Sequence, residues 1–151
     1  MIQEICAGIV PIQFQNELAQ DRFKGARVYL VQLRSGNHYS FPKGHFEEGE
    51  EAYEAAKREL YEETNLQVKS LLLEDPFEEN YQFKQRDREI VKKVILFVAE
   101  VTGTPRIDPV EVLDGGWFEL KDVERQLTYP SSKKTYLEVL TALRAKYHLH
   151  S

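Results

Sequence analysis

The sequence is expected to fold as an α+β domain in which helices cover a mixed β-sheet. Three observations carry that expectation. Runs rich in β-branched and aromatic residues recur between polar or glycine-containing turns, the composition of half-buried strands. Two longer stretches carry apolar residues at helical spacing. One of these is inserted early and the other closes the chain, with strands between them, so the helices are expected to layer onto one sheet.

In chain order, strands are expected at about residues 4–14, 26–34, 68–73, 79–83 and 92–101, with short extended pieces at 39–41 and 116–119. The first helix should span 51–64, where Ala52, Ala55, Ala56 and Leu60 form an i, i+3, i+4, i+8 stripe turned toward the sheet. Residues 121–126 suit a short helix. A long one is expected at 131–147, with Ser131 or Ser132 as N-cap and Tyr136, Leu137, Leu140, Leu143 and Ala145 as its apolar side. Cys6, set in Ile5-Cys6-Ala7-Gly8-Ile9-Val10, reads as a small core residue, Trp117 reads as core, and the tail 147–151 reads as a frayed end.

Behind a glycine loop, Glu59, Glu62 and Glu63 stand at i, i+3 and i+4 and so share one face of the first helix. Like charges at that spacing destabilise a helix by roughly 0.2–0.5 kcal/mol per pair, so something cationic should offset them. An acidic helix face is most often merely solvated. Here Glu59 falls at the edge of the apolar stripe, and a carboxylate turned toward a core edge needs a partner. The preceding Phe41-Pro42-Lys43-Gly44 adds a rigid turn, a basic side chain and a residue without Cβ, which bring backbone oxygens and a lysine close to a bound metal diphosphate. Carboxylates are the hard ligands that Mg²⁺ or Mn²⁺ prefers, with waters and phosphate oxygens completing the shell. The stretch reads as a magnesium-diphosphate site.

The remaining composition narrows the field. A chain of 151 residues, 42% hydrophobic and 30% charged, fits one globular domain over 1–151. Its net charge of −5 argues against an extended nucleic-acid surface while leaving room for a local basic pocket that holds a nucleotide. The single cysteine cannot form an internal disulfide. There is no basic segment followed by an apolar leader and no continuous apolar window of about 18 residues, so no membrane partner is expected and the cytoplasm is the expected location. The oligomeric state is not legible.

Gly44, Glu50 six positions on, and Arg58-Glu59-Leu60-Tyr61-Glu62-Glu63-Thr64-Asn65-Leu66 resemble the signature box of the Nudix hydrolases, which cleave nucleoside diphosphates linked to another moiety. Asn65 stands where the family usually has glycine, and Asn is the next residue most tolerant of the left-handed conformation that ends a helix. The resemblance covers most of the chain and implies an α/β/α sandwich. Phe41-Pro42-Lys43-Gly44-His45, Glu48-Gly49-Glu50 and the run from Lys92-Lys93-Val94 to Val101 look like the subgroup that splits diadenosine tetraphosphate asymmetrically into ATP and AMP. The Phe-Pro-Lys-Gly piece is shared, with variation, by enzymes that remove pyrophosphate from RNA 5′ ends.

The resemblance also implies roles. Glu59 and Glu63 would bind Mg²⁺, with Glu62 in support and the Gly44 or Lys43 carbonyl as a further ligand. Arg58 would point away from the metal face and pair with Glu50 or a neighbouring acid. The plainer alternative is a surface pair with Glu54. Glu111, in Asp108-Pro109-Val110-Glu111-Val112-Leu113-Asp114, matches a loop glutamate that serves as metal ligand or base, and Glu59 is the rival base. Lys43 and Lys92 are expected on the polyphosphate, with Lys93 as alternate because only one of two strand neighbours can face a cleft. His38, Tyr39, His45 and Tyr81 would flank the cleft, Tyr81 being the best candidate for stacking on adenine. The implied partner is a small nucleotide, a dinucleoside polyphosphate first of all. RNA 5′ ends or other nucleoside diphosphate derivatives are the alternative substrates. A catalytically silent nucleotide-sensing module is the other class, and retention of all three box glutamates speaks against it.

Overall fold

A central strand that changes partners along its length organises the sheet. In the computed structural model, which describes residues 1–16, 21–34 and 36–148, β1 (Ile2–Gln13) lies parallel to β7 (Arg88–Thr102) from Ile2↔Ile90 through Ile12↔Glu100. On its other edge β1 first pairs antiparallel with β4 (Lys43–His45), at Cys6↔His45 through Gly8↔Lys43, and then with β2 (Arg27–Leu33), at Ile12↔Val28 and Gln13↔Arg27. The Ile9 N–H still reaches the Pro42 carbonyl at 3.1 Å, so the next N–H on that edge would belong to Pro11, which has none. Pro11 therefore sits in the gap between the two partners, where a central strand can accept proline.

The rest of the sheet grows from this core. β3 (Tyr39–Ser40) and β8 (Val112–Glu119) pair with β2, while β5 (Gln67–Leu71) and β6 (Phe77–Gln85) pair with β7, giving an eight-stranded mixed sheet. Alternation sorts the apolar side chains onto two faces. Ala7, Ile9, Tyr29, Val31, Phe97 and Ala99 pack against Ala55, Ala56 and Leu60 of α1 (Ala52–Thr64). Val10, Ile12, Val28, Leu30, Leu96 and Val98 pack on the opposite face against Val123 of α2 (Leu120–Gln126) and Tyr136, Val139 and Leu143 of α3 (Pro130–Tyr147). This is the expected sandwich of helices on both faces of a mixed sheet. Among the described residues no helix is long and apolar enough to cross a membrane.

Several expectations are corrected in detail. The Pro42-Lys43-Gly44 segment is not only a turn, because Lys43 through His45 form a strand against β1; a Cβ on Gly8 would overlap the Pro42 carbonyl and the Lys43 side chain, so glycine permits that approach. The last strand starts at Val112 and not at 116, since β2 pairs with it across Gly115 and Gly116 and outweighs their local turn preference. The N-cap of α3 is Tyr129, followed by Pro130 in the first turn, and the hydroxyls of Ser131 and Ser132 turn instead to the Glu79 carboxylate at 2.9 and 3.0 Å. Its buried side uses Val139, whereas Leu137 and Ala145 are exposed. Tyr147 is not frayed: its hydroxyl donates to the Leu72 carbonyl at 2.7 Å and its ring packs on Phe23. The rest of the expected frayed tail, 149–151, lies outside the described residues.

Candidate active site

The acids at the C-terminal end of α1 line a cavity of about 530 Å³ with Cys6, Lys43, Gly44 and His45 from the sheet and Asp108 and Glu111 from the loop before β8. Two constraints place them there. α1 ends at Asn65, whose φ of 66° and N–H to the Tyr61 carbonyl close the helix in the left-handed conformation anticipated for this residue. The following loop is then pinned to that end, Arg106 N–H to the Thr64 carbonyl at 2.8 Å and Asp108 N–H to the Glu63 carbonyl at 3.2 Å. Glu111 is thereby brought to the same cavity as Glu63. On the strand side, a Cβ at position 44 would overlap the Glu59 carboxylate, so glycine lets the β4 backbone lie against it.

The electrostatics are those of acids crowded out of water. Glu63 is only 5% exposed, and its Oε1 has no hydrogen-bond partner. Burial, then the neighbouring Glu59 carboxylate, push the Glu63 carboxyl up from its ordinary value, and burial raises Glu59 as well. Arg58 offers partial relief. Its Nε and Nη2 grip the two Glu50 oxygens at 2.7 and 2.9 Å, its Nη1 lies 3.0 Å from Glu59 and 2.7 Å from Glu62, and Nη2 donates to the His45 carbonyl at 2.9 Å. The Glu50 pairing matches expectation, and Glu54 is not involved. The expectation that Arg58 points away from the acid face is corrected, because the guanidinium lies against Glu59 and Glu62.

Lys43 and Gly44, adjacent in β4, serve opposite faces. Lys43 is 7% exposed, and its buried ammonium has no hydrogen-bond partner and sits 5.4 Å from the centroid of the Tyr81 ring. Burial pulls the Lys43 ammonium down from its usual value, with Glu79 opposing. Tyr81 is stacked with Tyr129 on one side, at 6.1 Å and 22°, and with Phe83 on the other, at 6.0 Å and 29°. His38 packs on Tyr129 with ring centroids 4.7 Å apart and its Nδ1 3.3 Å from the Tyr129 hydroxyl. Lys92 pairs in register with Tyr81 and so shares this face, whereas the Lys93 ammonium lies 3.8 Å from Glu78 on the other.

The residues singled out in the sequence thus fall into two groups and two outliers. Glu59, Glu62, Glu63, Glu111, Gly44 and His45 share the acid cavity; Lys43 lines it and points toward Tyr81, Lys92 and His38 on the aromatic face. Tyr39 lies outside both: its N–H is bonded to Thr128 Oγ1 at 2.9 Å and its ring packs edge-on to Phe118. Trp117 packs on Tyr29. Four residues were missed. Asp108 and Cys6 line the cavity, Tyr129 faces Tyr81, and Glu79 is a buried carboxylate that ties β6 to α3. Only Asp108 left a trace, as an Asp-Pro pair beside Glu111; Cys6 is brought in by strand pairing, and Glu79 and Tyr129 by the seating of α3 on β6.

The residues fit a divalent cation. An orphaned buried carboxylate oxygen on Glu63 and the Glu59 carboxylate held against the Gly44 backbone are both features a cation would use. Among the described residues no three acidic, histidine or cysteine side chains already converge as a closed metal site. Mg²⁺ takes few protein carboxylates and fills its shell with water and phosphate oxygens.

A helix-covered mixed sheet with an acid-lined cavity at the end of α1 defines a class of α/β/α domain, and comparison with known proteins agrees. The family model of the NUDIX domain matches residues 17–139. The chain belongs to the Nudix family. It is 33% identical over 120 residues, 69% of each chain, to an RNA pyrophosphohydrolase of Mesorhizobium japonicum. It is 36% identical over 73 residues to the asymmetrical bis(5′-nucleosyl)-tetraphosphatase of Rattus norvegicus, an alignment that spans about half, 48%, of each chain. Among solved structures, a binary complex of the C. elegans Ap4A hydrolase superposes with a TM-score of 0.71 at 21% identity, covering 94% of this chain and 98% of that one. The NUDIX domain of Shewanella oneidensis NrtR, complexed with ADP ribose, gives 0.70 at 15%, covering 95% and 90%.

Proposed function

We propose that the protein is a Mg²⁺-dependent hydrolase, with Mn²⁺ as a possible substitute, that splits diadenosine tetraphosphate into ATP and AMP by attack of water on phosphorus. The observation that carries this reading is the meeting of an acid cavity and an aromatic, basic face at one strand, with Lys43 between them. A dinucleoside polyphosphate needs both: acids to hold the cation at the bond that breaks, and rings to hold a base some phosphates away.

Glu59 and Glu63, supported by Glu62, Glu111 and the Gly44 carbonyl, would hold the cation. When bound, a divalent cation neutralises phosphate charge and makes water more acidic. The protein's own groups do the rest. A carboxylate of Glu59 or Glu111 takes the proton from the attacking water, Lys43 and Lys92 bind the polyphosphate, and Tyr81 with Tyr129 holds adenine by stacking. Arg58 braces the loop through Glu50. Hydrolysis in ¹⁸O-water, with products separated by chromatography, tests the reading: ATP and AMP are expected, and two molecules of ADP would sink it, since that outcome places the cleaved bond at the middle of the chain.

RNA 5′ ends are a second reading. The similarity to an RNA pyrophosphohydrolase favours it. Brisk pyrophosphate release from triphosphorylated RNA, without turnover of the dinucleotide, would move the assignment there.

A further inference from the structure

Glu79 of β6 is 2% exposed, and its Oε2 accepts from the hydroxyls of both Ser131 and Ser132. A carboxylate taken out of water stabilises nothing until its partners are in place, and an apolar side chain of similar volume would seat a helix without that requirement. What the polar contact adds is direction. Two hydrogen bonds converging on one oxygen fix where the start of α3 sits along β6, which apolar packing leaves looser. The position of the bridge in the chain gives that direction an effect: Glu79 stands two residues before Tyr81 on the same side of β6, and Ser131 two residues after Tyr129, so one bridge fixes both backbones that carry the stacked rings. On its other side Tyr129 is tied through Thr128, whose Oγ1 accepts from the Tyr39 N–H at 2.9 Å and whose N–H donates to the Tyr39 carbonyl at 3.3 Å. Tyr129 itself is extended, at φ −94° and ψ 140°, and makes no side-chain cap bond, so it is its neighbours that hold it.

We infer that Glu79 is a positioning residue for the nucleobase: through Ser131 and Ser132 it sets the width of the slot between Tyr81 and Tyr129. The inference rests on the reading above in which those two rings hold adenine. The ring centroids are 6.1 Å apart with planes at 22°. A base with a ring on each face needs roughly 7 Å, twice the carbon–carbon contact distance, so the slot opens by about an ångström when a base enters. The Tyr129 side chain can make so small a movement while its backbone stays tied. A tied backbone also keeps the two rings facing each other before binding, whereas an untied start of α3 would leave Tyr129 to be ordered by the ligand at a cost in affinity. Glu79 attracts the Lys43 ammonium as well. Its charge and its hydrogen bonds therefore have separate signatures: a charge effect falls on the phosphates, and a slot effect falls on the base.

The test uses the full chain with Mg²⁺ and two probes: AMP, which carries a base, and methylenediphosphonate, which has none and is not cleaved by water. Binding is read by titration calorimetry, folding by Tm, and the deciding quantity is the ratio of the two affinities. Replacing both serines, Ser131→Ala with Ser132→Ala, keeps the carboxylate and removes its bonds, and should lower the ratio of AMP to methylenediphosphonate affinity roughly threefold to tenfold. Glu79→Leu should lower it as much. Glu79→Gln, which loses the charge but keeps an oxygen that both hydroxyls can reach, should hold the ratio within about twofold of the unaltered protein. Should the paired serine variant not fold, Ser131→Ala at a partly exposed position leaves the Ser132 bond and should lower the ratio about twofold to threefold. A ratio unchanged in the serine variants, or lowered as far by Glu79→Gln as by Glu79→Leu, overturns the positioning role. Tyr129→Leu separates this inference from the reading beneath it: AMP binding unchanged in that variant removes the adenine slot and the positioning role together, whereas a ratio that falls with Tyr129→Leu and not with the serine variants removes the positioning role alone.

Discussion

The two faces of the sheet differ in how they treat charge. On the α1 face acids are crowded, buried and raised in proton affinity, with one guanidinium shared among them. On the α3 face Lys43 lies beside the Tyr81 ring, and the buried acids are each held by donors, Glu79 by two serine hydroxyls and Glu100 by Arg22 at 3.2 Å. A three-residue strand, β4, feeds both, sending Lys43 one way and Gly44 the other. The difference teaches that strand alternation alone can set a cation-binding cavity back to back with a base-binding surface, at the shortest spacing a chain allows.

The comparison is broken most severely on the acid side. Glu59→Gln and Glu63→Gln should each lower turnover at least about a hundredfold with the fold intact, while Glu54→Gln on the same helix should matter little; near-native rates at limiting Mg²⁺ would end the metal assignment. Gly44→Ala, which pushes a Cβ into the Glu59 carboxylate, should cost about tenfold to a hundredfold in kcat by misplacing that group, with the circular dichroism spectrum unchanged. Across the sheet, Lys92→Ala should weaken a four-phosphate substrate more than a diphosphate, by roughly 1.5–3 kcal/mol. Lys93→Ala, already turned to Glu78, should do neither, and steady-state KM values for the two substrates decide between them.

The smallest effect is on stability. A carboxyl whose folded pKa is raised holds a proton that the unfolded chain releases, so the folded state binds more protons and stability falls as pH rises. The metal-free protein should therefore lose a few degrees of Tm as pH climbs above the ordinary carboxylate value of 4.5 through the raised value of Glu63, and Glu63→Gln should flatten that slope. A Tm that rises over the same interval in the metal-free protein, with Glu63→Gln indistinguishable from it, would contradict the described burial.

The acid face was readable in the sequence because its information is local: three glutamates within one helical turn and a half, the glycine before them and Asn65 after them. The same is true of α1 and of the β-branched and aromatic runs that became β1, β2 and β7. The α3 face was readable only in part. Lys43, Tyr81 and Lys92 could be picked out singly, but Tyr129 lies 48 positions from Tyr81, and only the pairing of β6 with β7 and the seating of α3 on Glu79 bring them together. Tyr39 shows the converse, a ring beside the right motif that turns to Phe118. Ser131 and Ser132 show how a good local rule is displaced: their hydroxyls had a buried carboxylate to satisfy, and it outcompeted the helix's own N–H groups.

Arg58 has a consequence for how such a site comes to exist at all. A cluster of repelling acids could in principle keep a chain from closing until an ion arrives, as in small domains that fold only when loaded. Here the sequence carries its own counter-ion, already seated on Glu50, Glu59 and Glu62. A divalent cation entering the cavity would then share Glu59 and Glu62 with a resident one and meet Glu63, which Arg58 does not touch, without that competition. Assembly and loading become separate events, so the domain can be complete before it is charged.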